Sequence, residues 1–524
     1  MSRPAPAPAA AANDPLRDAL RAHFGFDDFH KGQRAVIEDL LAGHPTVAVM
    51  PTGAGKSLCY QLPGLLLDGV TVVVSPLIAL MKDQVDALRA RGVAAEYINS
   101  SLDPEAQRAA LDRLAGGATR LVYVAPERFR SGAFIRALQQ VPLALFAVDE
   151  AHCISRWGHD FRPDYTRLGA VVERLRPPRL LACTATATPD VRDDMLRALR
   201  LDAAQVHVAG FLRDNLYLEA RLCANERDRE KRLVHFLTRG AGQSGAVIVY
   251  ASTRKRVERY AGVAWKALGD GQVVAYHGGM DDTERSAAQE AFMSGRARVA
   301  VATNAFGMGV DRADVRAVVH VDLPRTLEGY YQEVGRAGRD REPARCLLLY
   351  NPIDTRVHHF LIDQSHPDPK ALQAAWHALR TRGPATPRQL AEAVDALDGA
   401  NQAETVLRHL AKVDAAQFDG GGAFRAHPDA PPDVADLGLD LAGIARHRDH
   451  EHDKLRQMKR FVHEAGCRHA YVLRYFGEQV DAACPGCDRC DPDDDNAAPG
   501  VVFAPPDEGE ALLIRKALAG VARA

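Results

Sequence analysis

The feature that most limits what this chain can fold into is a series of ten short, apolar, β-rich segments separated by longer stretches of helical character. The first five are VAVMPTG (47–53), TVVVSP (71–76), LVYVAP (121–126), LALFAVDE (143–150) and RLLACTAT (179–186). The second five are AVIVYAS (246–252), VVAYHG (273–278), ARVAVAT (297–303), AVVHVDLP (317–324) and CLLLYNP (346–352). Segments apolar at nearly every position are buried on both faces, the condition of parallel strands covered by helices above and below. Ten such strands are many for one sheet. The pattern predicts an α/β chain with two doubly wound parallel-sheet lobes, 16–209 and 210–353, joined near GFLRDN (210–215).

After residue 353 the texture changes. Segment 370–426 offers three helix-like stretches, with Thr386 placed to cap the second, and then DGGG (419–422) between Phe418 and Phe424. That order fits either a winged-helix module or a plain helical linker, and periodicity does not separate the two. The Pro/Asp/Gly-rich stretch 427–443 reads as a linker, so 354–445 is expected to be an insert. From 446 to 476 the spacing of Leu455, Met458, Val462 and Ala465 predicts a helix that Gly477 stops. A cysteine cluster follows, giving a subdomain over 446–495. The tail, 496–524, contains the amphipathic piece EGEALLIRKALAGVARA.

Composition narrows the class. Of 524 residues, 47% are apolar and 26% charged, a globular balance. No apolar run reaches bilayer length. The Ala/Pro-rich leader, 1–15, lacks the pattern of a secretory signal, so the cytoplasm is the expected location. The net charge of −2 argues against a chain coated by nucleic acid. A local stripe (Lys454, Arg456, Lys459, Arg460, Arg468, Arg474) reads either as a phosphate track or as a solvated helix face.

Three constellations carry chemistry. VAVMPTGAGKS (47–57) runs from a strand into a glycine-containing loop, where Thr52, Gly53 and Gly55 would let backbone N–H groups approach phosphates. Lys56 would meet the terminal phosphates and Ser57 a Mg²⁺ ion; Met50 stands where the general pattern has glycine. LALFAVDEAH then places Asp149 to hold Mg²⁺ and Glu150 to orient and deprotonate the attacking water. YYQEVGRAGRD (330–340) brings Gln332, Arg336 and Arg339 into one segment, the arginines three residues apart and on one face if helical. They would serve an ATP site only if the second lobe closes on the first.

Nine cysteines fall into two sets. Cys59, Cys153, Cys183, Cys223 and Cys346 are scattered. Cys467, Cys484, Cys487 and Cys490 have the spacing of four thiolates closing a tetrahedral, structural Zn²⁺ site, with Pro485-Gly486 as the knuckle.

The ordered set PTGAGKS, SPLIALMKDQ (75–84), DEAH (149–152), TATAT (184–188), ATNAFGMGVD (302–311) and QEVGRAGRD (332–340) resembles the motif series of superfamily-two helicases. AHCISRWGHDFRPDY (151–165) resembles the aromatic-rich loop of the RecQ family, and YFGE with the cysteine knuckle resembles its zinc subdomain. The resemblance implies RecA-like lobes, ATP and Mg²⁺ as substrate and cofactor, and structural zinc. It implies adenine contacts by Phe24, Phe26 and Gln33, and single-stranded DNA contacts by Trp157, His159, Phe161 and Arg162. It further implies 3′→5′ tracking, unwinding of forked duplexes in repair or recombination, and single-strand-binding and recombination proteins as partners.

The chain departs from the family in three places. His30-Lys31 replaces the usual Arg-Pro, residues 370–445 intervene before the zinc subdomain, and the usual terminal winged helix is represented by its first helix only. Either the chain is truncated or the insert does that module's work. A DNA-binding scaffold with a regulatory nucleotide site and an RNA helicase remain the competing readings.

Overall fold

The structure, a computed structural model, describes residues 14–76, 78–99, 102–155, 157, 160–201, 203–240, 242–306, 312–480 and 483–491. The leader up to residue 13, the tail from 492, His159 and residues 307–311 lie outside the described residues. The expectations for a leader and a vestigial terminal helix therefore fall outside them too.

The first lobe carries seven strands: β1 (Thr46–Val49), β2 (Val70–Val74), β3 (Ala95–Ile98), β4 (Leu121–Val124), β5 (Leu143–Val148), β6 (Leu180–Thr184) and β7 (Gln205–Val208). They pair in parallel in the order β3-β4-β2-β5-β6-β1-β7. The second lobe carries β8 (Leu216–Leu222), β9 (Ala246–Tyr250), β10 (Val273–Tyr276), β11 (Val299–Ala302), β12 (Val315–His320) and β13 (Ala344–Tyr350). These also pair in parallel, in the order β10-β11-β9-β12-β13-β8. Both sheets are sandwiched by helices, and strands such as β1, β2, β9 and β11 are buried at every position. This is the two-lobed, RecA-like α/β architecture the resemblance implies.

The insert resolves the alternative left open by periodicity. Helices Pro369–Arg382, Pro387–Ala393 and Ala400–Lys412 precede an antiparallel hairpin, β14 (Ala416–Phe418) and β15 (Phe424–Ala426). Ala385, between the first two helices, forms an isolated antiparallel β-bridge with Phe424. Three helices followed by a two-stranded hairpin match the order of a winged-helix module. Thr386 and Gln389 form a capping box at the second helix. The module has its own core around Leu372, Trp376, Leu390, Leu407 and Leu410.

Beyond the insert, two expectations need correction. The helix expected over 446–476 starts at Leu441, where Asp440 caps it, and ends at His463. A second helix, Arg468–Phe476, begins after Cys467 and stops at Gly477, whose φ of 74° is left-handed. The interruption over 464–467 places Ala465 off the apolar stripe and swings Cys467 toward the knuckle. The basic stripe also breaks up. Lys454 is 4% exposed and Arg468 is fully buried, its guanidinium paired with Asp488.

A candidate nucleotide site between the lobes

β1 delivers the chain into the loop 50–57, where Gly53 (φ 85°) and Gly55 (φ 71°) adopt left-handed conformations that a side chain would strain. Ser57 stands at the N-terminus of helix Leu58–Leu66, the end whose dipole favours anions. Lys56 Nζ lies 3.5 Å from the Pro51 carbonyl at the loop's start. Gln33, from helix Gln33–Leu41, grips the same loop from outside. Its Nε2 donates to the carbonyls of Ala54 (2.9 Å) and Gly55 (3.0 Å), and its Oε1 accepts from the His30 N–H at 2.7 Å. Phe26 is 51% exposed and lies parallel to Phe24 with ring centroids 6.5 Å apart.

Asp149 directly follows β5, two strands away from β1. Its Oδ1 accepts from the Glu150 N–H (2.9 Å) and from Cys183 Sγ (3.4 Å), and its own carbonyl accepts from Tyr165 Oη at 3.0 Å. Burial, followed by the neighbouring Glu150 charge, pushes the Asp149 carboxyl up to about 6 against the pull of Lys56. Glu150 holds φ 48°, a conformation uncommon outside glycine, and its carboxylate lies 3.3 Å from His152 Nδ1. The same His152 nitrogen is 2.7 Å from Thr184 Oγ1, so the DEAH and TATAT segments touch directly.

The second lobe closes this cradle. Helix Leu327–Val334 carries a half-buried Gln332 and ends at Gly335. A Cβ on Gly335 would meet Thr52 Cβ at 3.2 Å, and one on Gly53 would meet Arg339 Cγ at 3.6 Å. Arg336 is buried next to Tyr250. Arg336 and Arg339 do not share a helix face, because the helix stops before them and Gly338 (φ 57°) turns the chain. Arg213 fastens the seam. Its guanidinium donates to the carbonyl of Thr52 (3.2 Å) in the first lobe and to those of Ala337 (3.2 Å) and Gly338 (2.9 Å) in the second. Asn215 Nδ2 donates to the Gly338 carbonyl as well, at 2.8 Å. Neither residue stood out in the sequence, since GFLRDN reads there as a mere joint.

Of the aromatic loop, Trp157 packs on helix Leu441–His463, stacked on His447 (5.3 Å between centroids) and edge-on to His450 (4.9 Å). Arg162 pairs with Asp160 (3.0 Å) and donates to the Pro76 carbonyl (3.0 Å); Phe161 is half-buried. The sulfur atoms of Cys467, Cys484, Cys487 and Cys490 all lie within 4.8 Å of one another, Cys484 and Cys487 at 3.6 Å. Tetrahedral zinc with Zn–S bonds of about 2.3 Å needs sulfurs about 3.8 Å apart, so the four thiols fit that ion. The knuckle also lies along β8, where Cys487 pairs with Leu218.

Three family models match in order along the chain: DEAD/DEAH box helicase (30–194), helicase conserved C-terminal domain (228–341) and RecQ zinc-binding (439–491). The chain is 43% identical over 360 residues to "ATP-dependent DNA helicase RecQ" of Bacillus subtilis, covering 68% of this chain and 59% of that one. With "Probable ATP-dependent DNA helicase RecS" of the same organism it shares 41% over 348 residues, covering 66% and 69%. The chain belongs to the RecQ family.

This RecQ-family chain matches only 53–59% of the length of the bacterial RecQ relatives from Bacillus subtilis, Pasteurella multocida and Haemophilus influenzae. A longer alignment, 36% identical over 494 residues, links it to "ATP-dependent DNA helicase Q5" of Rattus norvegicus, covering 91% of this chain and 43% of that one. Among solved structures, Mycobacterium smegmatis helicase Lhr bound to ssDNA and AMP-PNP shares the fold at TM-score 0.52 and 21% identity, over 79% of this chain and 61% of the other.

Proposed function

We propose that this RecQ-family chain is an ATP-dependent DNA helicase that tracks 3′→5′ on single-stranded DNA and unwinds duplex in repair or recombination. The observation that carries this reading is the seam itself. The phosphate loop of one lobe lies against the arginine segment of the other, with Arg213 bonded to both. One nucleotide bound there touches both lobes, so its turnover changes how they sit together.

In this reading 16–209 binds nucleotide, 210–353 supplies arginines, 354–445 is the winged-helix insert and 446–495 holds zinc. Lys56 and the N–H groups of Thr52 to Ser57 bind the phosphates, while Phe26 takes the adenine face and Gln33 takes its edge on exchanging its bonds to Ala54 and Gly55 for the base. Asp149 and Ser57 would hold Mg²⁺, which supplies positive charge to the phosphates when bound. The Asp149 carboxyl suits it, because burial raises its pKa and a nearby cation reverses that cost. Glu150 orients and deprotonates water; Arg336 and Arg339 stabilise charge developing on the γ-phosphate, with Gln332 beside them. Trp157, Phe161 and Arg162 meet DNA in the aromatic loop, together with His159. The family names of the relatives support DNA over RNA.

Two assays test this. Lys56→Ala and Glu150→Gln are expected to abolish hydrolysis while leaving DNA binding within about twofold. Retained turnover overturns the site. Strand separation on forked and 3′-tailed duplexes is expected from the intact chain; DNA-stimulated hydrolysis without it would favour a translocase or a scaffold. Cytoplasmic location and contacts with single-strand-binding and recombination proteins are part of the same proposal. Among the described residues, no helix is long and apolar enough to cross a membrane.

A further inference from the structure

Helix Leu441–His463 spans the two lobes, and Lys454 stands at the crossing. Its ammonium donates to the backbone carbonyl of Trp157, in the segment that leaves the DEAH acids. The same ammonium lies 3.6 Å from Oε1 of Glu328. Glu328 is in the first turn of helix Leu327–Val334, whose far end runs into Gly335, Arg336 and Arg339. Lys454 is 4% exposed and Glu328 2%.

A lysine is almost never buried this deeply unless it is paired, because desolvating an ammonium is expensive. Its neighbours on the same helix face, Leu455, Met458 and Phe461, are apolar and fully buried. A methionine in its place would satisfy packing alone, so packing is not what the charge serves. The Trp157 peptide is held from other sides as well. Ser155 Oγ accepts its N–H at 3.1 Å and itself donates to Asp194 at 2.7 Å, while His450 Nε2 lies 3.2 Å from its carbonyl. Tyr475, from the following helix, stands beside Glu328. Contacts thus join the segment that follows the first-lobe acids, at Trp157, through Lys454 to Glu328, on the helix that leads into the second-lobe arginines.

We propose that Lys454 is a positioning residue, a charged strut through which DNA contact at the aromatic loop reaches the catalytic arginines. The inference rests on the DNA-stimulated motor proposed above. It adds the physical link between the two lobes that coupling of this kind requires.

The test is steady-state ATPase of the full chain with and without single-stranded oligothymidylate. Lys454→Met keeps the stem and removes the charge, but takes the ammonium away from the buried Glu328. The double variant Lys454→Met/Glu328→Gln removes both charges and is the one expected to keep the fold, checked by zinc content and Tm. DNA-stimulated kcat is expected to fall about tenfold, with KM for ATP and the DNA-free rate within about twofold. The double variant is expected to lose no more than the single, as groups acting as one unit do. A folded double variant stimulated like the parent overturns the strut. So do equal losses with and without DNA, or a raised KM, which mark a support of the fold. A parent chain whose hydrolysis ignores DNA is a different result, and overturns the motor on which the strut depends.

Discussion

Asp149 is held in an environment that opposes its own charge. Its pKa of about 6 stands above the usual carboxylate value, so the folded protein binds that proton more tightly than the unfolded chain does. The sign follows directly. The ionised carboxylate destabilises the nucleotide-free fold, fully above pH 6 and not at all below about 4, the unfolded pKa. Asp149→Asn is therefore expected to raise Tm at pH 8, with the gain shrinking as pH falls through 6, while hydrolysis is lost. Thermal melts at several pH values check this; a gain independent of pH would refute it. Gly335 makes a second prediction at this scale. A Cβ added there would lie 3.2 Å from Thr52 Cβ and 3.1 Å from the Tyr331 carbonyl, so these neighbours would have to give by a few tenths of an ångström. Gly335→Ala is expected to push the lobes apart and cut ATP turnover by about tenfold or more, with zinc content unchanged.

At the scale of elements, the wing and its core behave as a separate module. Trp376 is fully buried at the centre of the insert, its indole N–H donating to the Pro431 carbonyl at 2.9 Å. Phe418 on the hairpin is 58% exposed. Trp376→Ala is expected to cost about 3–5 kcal/mol of the insert's stability, and Phe418→Ser less than about 0.5. Because the insert's core is distinct from those of the lobes, calorimetry should show the Trp376 variant lowering one transition and leaving another in place.

The elements that were legible in the sequence, and those that were not, divide by burial. The ten apolar segments all correspond to strands, and every strand interior to a sheet was among them. The three that escaped, β3, β7 and β8, are edges. AEYI, QVHV and LYLEARL mix polar with apolar residues because one side of each strand has no neighbour in its sheet, and the continuous apolar signature disappears. The wing escaped for a related reason: strands of three residues carry too little periodicity to set against a loop. At the candidate site, Lys56, Asp149 and the arginines stand out in the sequence because phosphate chemistry asks for those types at those spacings. Arg213 was not, since its value comes from bridging segments more than a hundred residues apart.

For the whole molecule, the segment between the lobes is a joint in sequence and a weld in space. Phe211 stacks on Phe476 at 4.4 Å, and its N–H donates to Glu478 Oε2 at 2.9 Å, so the zinc subdomain grips the connection while Arg213 grips the nucleotide loop. Arg213→Gln is expected to lower ATP turnover by about tenfold with little effect on Tm, measured with the metal site intact.

The cysteine knuckle lies along β8 and adds a backbone pairing at Leu218 to the outer edge of that strand. Stripping the metal would then do more than slacken a loop. It would bare the Leu218 N–H and carbonyl on a sheet edge to any neighbouring chain, so chelator-treated protein should clump through strand addition before it melts, with scattering rising ahead of the loss of helical signal.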